Sequence, residues 1–267
     1  MARPTIGARQ FARRYAARTG DLISLARSHS GGLTADYIHD LRVATRRVQM
    51  LCALLPRNTR ESKDCRDFNE ALRALLKATS KVRDIDTLTV TLEQRRASLP
   101  PEIFVALSRE RAETLRQAKP AIKRVSAVAL PATDGLPANS GKLSKRLRKR
   151  IAGRSAAIAD LLAKVLKSES RMAELHALRK ETKKLRYLLE MADTKPAELE
   201  VLTAWQEELG AVHDLDVAID FLKRGWTSSG ATAELQEGRH AGYLRFVAEY
   251  RRRWANSLKN SAIFSLG

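Results

Sequence analysis

His39-Asp40-Leu41-Arg42-Val43-Ala44-Thr45-Arg46-Arg47-Val48 returns 137 residues later as His176-Ala177-Leu178-Arg179-Lys180-Glu181-Thr182-Lys183-Lys184-Leu185, with the His, Leu, Arg, Thr and paired basic positions kept. Wound on a helix at about 100° per residue, His39, Arg42 and Arg46 fall within roughly 60° of one another. Leu41, Ala44, Val48, Leu51 and Leu55 take the opposite side. In the second copy His176, Arg179 and Lys183 face away from Leu178, Leu185 and Leu189. Each copy therefore predicts an amphipathic helix, with an apolar stripe for a core and a His-Arg-basic ridge pointing elsewhere. Basic residues on an outer helix face are ordinarily just solvated charge. Solubility alone would leave some acids among them, and these ridge positions carry none. A doubled ridge of one sign, in one register, predicts a binding surface.

Outward from the first copy, the pattern is helical throughout. Residues 4–28 predict a helix with Phe11, Tyr15, Leu22 and Leu25 as apolar positions, ended by Gly31-Gly32; the His39 helix runs from about 34 to 55 and stops at Pro56. A third helix covers about 61–80. Lys81-Val82-Arg83-Asp84-Ile85-Asp86 then leads into a shorter one ending before Pro100-Pro101, and a long helix follows over about 101–129. The stretch 131–141, rich in Pro and Gly and poor in charge, is the linker. After it the order restarts. A very basic helix over 142–167 sets Arg146 and Arg150 at the same 137-residue offset from Arg9 and Arg13. The His176 helix, ending near Asp193, is followed by one over about 196–212. His213-Asp214-Leu215-Asp216 then answers Arg83-Asp84-Ile85-Asp86 at a turn, Gly225 to Gly230 is a loop, and a last helix spans about 231–258. No alternating, β-branched segment argues for a strand. The expectation is an all-α chain, one domain over 1–267 made of helical repeats 4–130 and 142–262.

Composition narrows the partner. Lys and Arg outnumber Asp and Glu by 49 to 30, a formal charge of +19, and the sequence pI is near 10.4. Such an excess costs self-repulsion and suits a polyanion: a nucleic acid, a phosphate polymer or an anionic surface. Aromatic residues are 5% of the chain, too few for base stacking to be the main mode of contact. Cys52 and Cys65 match no metal-ligand spacing, and Cys52 among leucines reads as a small buried hydrophobe in a reducing compartment. No apolar run approaches about 18 residues, and the basic start lacks an apolar segment behind it. We expect a soluble cytoplasmic protein without a membrane partner.

Catalytic signatures are scarce. The Asp84-x-Asp86 and Asp214-x-Asp216 pairs lack the glycine and distal glutamate of a calcium loop. They read either as caps of the next helix or as carboxylates that hold a ridge guanidinium. Of the five histidines, no two stand at i, i+4 and none joins a cysteine, so no metal site is expected. His29 and His240 look incidental, and Trp205, Trp226 and Trp254 read as core packing. There is no nucleophile elbow and no phosphate-cradling glycine loop. A His among several Arg holds its own proton poorly, yet can still donate one hydrogen bond to a phosphate oxygen.

The doubled ridge, with its Asp-x-Asp segments, resembles the conserved histidine α-helical domain (CHAD) family over nearly the whole chain. The most specific pieces are His39-Asp-Leu-Arg-Val-Ala-Thr-Arg-Arg47, Lys183-Lys-Leu-Arg-Tyr-Leu-Leu-Glu190 and Leu209-Gly-Ala-Val-His-Asp-Leu-Asp-Val217. The resemblance implies two pseudo-symmetric four-helix bundles with a basic groove or pore between them that binds inorganic polyphosphate, with no cofactor. Ligand-facing candidates carried over by position are His39, Arg42, Arg46 and Arg47, then His176, Arg179, Lys183, Lys184 and Arg186, joined by Arg13, Arg150 and His213. Two departures stand out: Gln49 occupies the place matching Arg186, and Arg83 the place of His213. Many relatives also carry a triphosphate tunnel domain with catalytic acids, for which this chain has no room.

Polyphosphate carries about one charge per phosphate and no bases. A protein that holds it needs cations at regular rise, and i, i+3/i+4 spacing supplies them about every 5–6 Å along a helix. Arg grips phosphate oxygens bidentately, and Lys acts as a point charge. Non-catalytic polyphosphate binding is therefore the leading expectation, and residence on polyphosphate granules or regulation of a phosphate enzyme is compatible with it. Backbone binding to nucleic acid and a metal-assisted phosphohydrolase are the alternatives.

Overall fold

The computed structural model describes residues 4–28, 32–131, 140–192, 196–226 and 229–253. Ten α-helices and one 3-10 turn, Arg96–Ser98, make up the described residues, which contain no strand. The chain is all-α. It divides into two compact units, an N-terminal one of Ile6–Thr89 with Pro101–Ser144 and a C-terminal one of Met1–Thr5, Val90–Pro100 and Lys145–Gly267.

In the N-terminal unit, α1 (Ala8–Arg27), α2 (Ala35–Cys52), α4 (Lys63–Ala78) and α6 (Glu102–Ala127) surround one core: α1 packs on α2, α2 on α4, α4 on α6 and α6 back on α1. The short α3 (Arg57–Glu61) precedes α4, and α5 (Ser80–Glu93) follows it. Local chemistry sets the boundaries. Thr34 starts α2 by accepting the Tyr37 amide at 3.2 Å, with Asp36 in the first turn facing the positive end of the helix dipole. Ser62 caps α4 through the Cys65 amide at 3.3 Å. Its extended backbone (ψ 151) divides the expected helix over 61–80 from α3. Phe11, Leu22, Leu41, Val48, Leu51, Phe68, Leu72, Leu75, Leu107 and Ile122 fill the core, with Cys52 and Cys65 both free and buried beside them. Each such side chain contributes about 1.5–3 kcal/mol through burial, before the entropy of ordering it.

The C-terminal unit contains α8 (Met172–Met191), α9 (Pro196–Gly225) and α10 (Ser229–Arg253), with α8 on α9 and α9 on α10. α7 (Ser140–Val165) is tied in from its far end, where the Tyr243 hydroxyl donates to the Val165 carbonyl at 2.8 Å. Gly242 lets α10 approach α9 closely, since a Cβ there would stand 3.1 Å from a Val212 methyl. Trp205 is buried with its ring edge-on to Phe246 at 6.2 Å, as a core role required. Trp226 is half-buried. Trp254, His29 and linker residues 132–139 lie outside the described residues, and α7 takes up 140 and 141.

One expectation is overturned. The Asp-x-Asp segments are not turns, and their acids do not cap a following helix. α9 runs unbroken from 196 to 225 through His213-Asp214-Leu215-Asp216, and only Thr79 separates α4 from α5, with Asp84 and Asp86 inside α5. No Pro interrupts either segment, and the second acid of each pair has a partner that tolerates a helix interior. Asp86, 4% exposed, receives Arg111 Nε at 2.5 Å, while Arg111 Nη2 donates to the Leu33 carbonyl at 3.0 Å. In the other unit Arg239 Nε reaches Asp216 at 2.9 Å and Arg239 Nη2 the Glu169 carbonyl at 2.6 Å. The same clasp is built twice. Each fastens the last long helix of its unit to an Asp-bearing helix and to the backbone just ahead of the ridge helix.

Candidate functional site

On α8 the apolar stripe is buried at Leu178, Leu185 and Leu189, which turns His176, Arg179 and Lys183 to a half-buried outer row. Because α9 continues as a helix beneath that row, His213 meets His176, with Nδ1 to Nδ1 at 3.2 Å and ring centroids 4.3 Å apart. One ring donates to the other, so in a neutral pair one Nδ1 carries the proton and the other accepts it. Burial, then Arg179, His176, Lys183 and Lys180 pull the His213 pKa down to about 3. Burial, Lys180, Arg179 and Lys183 lower that of His176. Asp214 opposes these cations, with Arg179 Nη2 at 4.0 Å. This is the second role foreseen for the acid pairs: the first Asp faces a ridge guanidinium. The cluster joins two imidazoles held neutral to three cations with one opposing carboxylate, an excess of positive charge that would gain from receiving an anion.

Acids stand on the flanks of this ridge, outside the ridge positions themselves. Glu181 binds Arg154 Nη1 and Lys184 Nζ, each at 2.7 Å. Arg186 donates Nε to Gln206 at 2.9 Å, pairs with Glu190 and lies over the Tyr187 ring. Lys184 and Arg186 are thus held by the fold itself. Helical angle alone did not separate them from Arg179 and Lys183, because their partners stand one turn along α8 or on α9.

On α2, His39 is exposed and Arg46 and Arg47 half-buried, whereas Arg42 is only 6% exposed. Arg42 Nη1 donates to the Leu76 carbonyl at 2.7 Å and to the Thr79 hydroxyl at 2.8 Å. Leu76 lies in the last turn of α4 and Thr79 is its C-cap, so a ridge residue caps the negative end of that helix. Burial, then Arg46, lower the Arg42 pKa to about 10, with Asp84 opposing and Arg83 adding to the fall, and it stays cationic at neutral pH. Among the described residues neither Arg46 nor Arg83 has a carboxylate partner. Arg13 is exposed on α1 and Arg150 half-buried on α7. Lys180, four residues after His176 and exposed, was missed although helical spacing places it beside the imidazole pair. Among the described residues no three His, Cys, Asp or Glu gather as a metal site, and no helix is long and apolar enough to cross a membrane.

An all-helical protein with histidines and arginines drawn together on the outer rows of two amphipathic helices is what fold and geometry define. The CHAD domain family model matches residues 19–223, and the chain belongs to that family, one associated with polyphosphate-binding proteins. The structure is similar to the crystal structure of the CHAD domain from the plant Ricinus communis, with a TM-score of 0.57 and 18% identity over 99% of this chain and 93% of that one. It is also similar to PptA from Streptomyces chartreusis, with a TM-score of 0.60 and 14% identity over 95% of this chain and 100% of that one. No curated protein matches the sequence. At these identities the solved structures speak for the fold.

Proposed function

We propose that this protein binds inorganic polyphosphate without transforming it, using the outer-row cations of the two ridge helices as tracks for the polymer. The observation that carries this is the cluster of His176, His213, Arg179, Lys180 and Lys183, where cations and half-buried imidazoles converge with Asp214 as the opposing carboxylate. A phosphate oxygen placed there relieves the mutual repulsion of the cations and accepts hydrogen bonds from Arg179 and from the one ring N–H left free, the Nε2 of the imidazole whose Nδ1 accepts. Polyphosphate suits such a surface because it has no apolar body and no bases to be read. On α2, Arg46, Arg47 and His39 offer the same groups beside Arg83, while Arg42 supplies charge from behind. Cytoplasmic residence, on or near polyphosphate granules and their associated proteins, is the setting that follows.

The test is a competition. Labelled long-chain polyphosphate is bound at about 150 mM salt, where exposed charges are screened beyond about 8 Å, and challenged with duplex DNA, RNA and pyrophosphate at matched phosphate concentration. Resistance to both nucleic acids supports a site for a thin polyanion. Equal displacement by DNA would make the basic face generic and hand the lead to nucleic-acid binding. Incubation with magnesium tests catalysis separately: chains that keep their length over hours support binding alone, and shortened chains overturn it.

A further inference from the structure

We propose that Glu181 is a specificity-determining residue of the second ridge, an internal carboxylate that a long phosphate chain displaces from Lys184 and a short one does not. This deepens the polyphosphate reading above and rests on it. Glu181 is 14% exposed, and its two oxygens are taken by different cations, Arg154 of α7 and Lys184 of α8, at 2.7 Å each. Burial works to raise its pKa, but the bonds from Lys184 and Arg154 outweigh burial and leave it below the usual carboxylate range. It is a full negative charge at neutral pH. The first copy has Ala44 at the matching position and Ala17 in place of Arg154, so the device belongs to the second ridge alone.

Lys184 therefore enters any binding event already paired. A lone phosphate that takes it exchanges one ion pair for another, an exchange with little net gain. A long chain already seated on Arg179, Lys180 and Lys183 brings its next phosphate to Lys184 at high effective concentration, and the exchange becomes intramolecular. Glu181 thereby sets a length threshold. Arg154 keeps its hold on the displaced carboxylate, so no charge is left buried and unpaired.

Glu181→Gln preserves size and one acceptor oxygen for Arg154 while freeing Lys184. Affinity for tripolyphosphate should rise about tenfold, the scale of one charge-assisted contact, and affinity for long chains by less than about threefold, since they already reach Lys184. Lys184→Met should alter tripolyphosphate binding little in the native protein and remove the gain in the Glu181→Gln background, a coupling read by a double-mutant cycle. Glu113→Gln, which removes an exposed acid on α6, controls for charge alone. Equal gains for both ligands, or a gain no larger than that of Glu113→Gln, overturn the proposal while leaving polyphosphate binding in place. Failure of the native protein to hold long chains overturns both. Circular dichroism melts keep a folding defect apart from either result.

Discussion

The two ridge helices are spelled alike and used differently, and the cause lies in the helices they rest on. Under α2 the chain breaks at Thr79 between α4 and α5, leaving carbonyls at a helix end, and Arg42 turns inward to cap them. Under α8 the matching region is the middle of α9, where no helix ends. Arg179 instead lies over Gly210, at whose α-carbon a Cβ would stand 3.8 Å from the guanidinium Nε, and reaches toward Asp214. The occupant of the next position differs as well: Arg83 is a fixed cation, whereas His213 is an imidazole that burial keeps neutral. A repeated motif decides which face a residue takes, and the element packed against that face decides its work.

The sharpest break of this comparison is in stability. Arg42→Ala removes two charge-assisted bonds and leaves the Leu76 carbonyl and Thr79 hydroxyl without their donor, so unfolding in urea should become easier by about 3 kcal/mol. Arg179→Ala, at a half-buried position whose contact with Asp214 is loose at 4.0 Å, should cost about 1 kcal/mol or less. Equal losses would mean that Arg42 is not a structural cap.

Binding should depend on the outer-row cations. Arg46→Ala with Arg179→Ala is expected to weaken long-chain polyphosphate about thirtyfold at fixed salt, and Arg148→Ala with Arg251→Ala by less than about threefold, although each pair removes two charges. Equal losses in filter binding or anisotropy would describe a diffuse field and no defined track. Arg46 is the residue truncated on α2 because loss of the buried Arg42 would mix folding with binding.

Protons sharpen the contrast further. The folded pKa of His213, about 3, lies below its unfolded value near 6.5. Stabilisation by the neutral ring is therefore complete above about pH 6.5 and is lost as pH falls toward 3. Without ligand, the melting temperature should drop from pH 7 to pH 5, and His213→Gln should flatten that slope. Bound polyphosphate opposes the cations Arg179, Lys180 and Lys183 that help burial keep the rings neutral, so binding takes up protons and affinity rises as pH falls. We expect about tenfold tighter binding at pH 5.5 than at pH 8, measured with long chains whose internal phosphates keep their charge over that range. An unchanged pH slope in His213→Gln would remove the imidazole pair from the site.

The helices and the faces of α2 and α8 were legible because periodicity is a local signal, written in Leu41, Val48, Leu178 and Leu185. What escaped depends on partners distant in sequence. Asp84 and Asp214 could be assigned only as caps or as guanidinium holders until their helices were seen to continue, and Asp86 and Asp216 needed Arg111 and Arg239, more than twenty residues away. The contact of His176 with His213 spans 37 residues and leaves no trace in spacing. Arg42 stood among the ridge candidates, and no helical angle could reveal a broken helix beneath it.

The smallest predicted effect addresses the missing cation. Gln49 stands where Arg186 is found in the second copy, and Ala53 where Glu190 is found. Arg186 is neutralised by Glu190 and oriented by Gln206, so its charge is largely used within the fold. An arginine at position 49 would have no such carboxylate one turn on, and Gln49 is half-buried rather than enclosed, which leaves room for a longer side chain to reach solvent. Gln49→Arg should therefore strengthen polyphosphate binding by about two- to threefold at about 150 mM salt and steepen its salt dependence by roughly one ion. In parallel, Arg186→Gln should lower stability more than affinity, since it removes the Arg186–Glu190 ion pair and the Gln206 contact. If Arg186→Gln instead costs more binding than Gln49→Arg adds, the pairing with Glu190 opens on ligand arrival, and Arg186 joins Arg179 and Lys183 among the cations that hold the polymer.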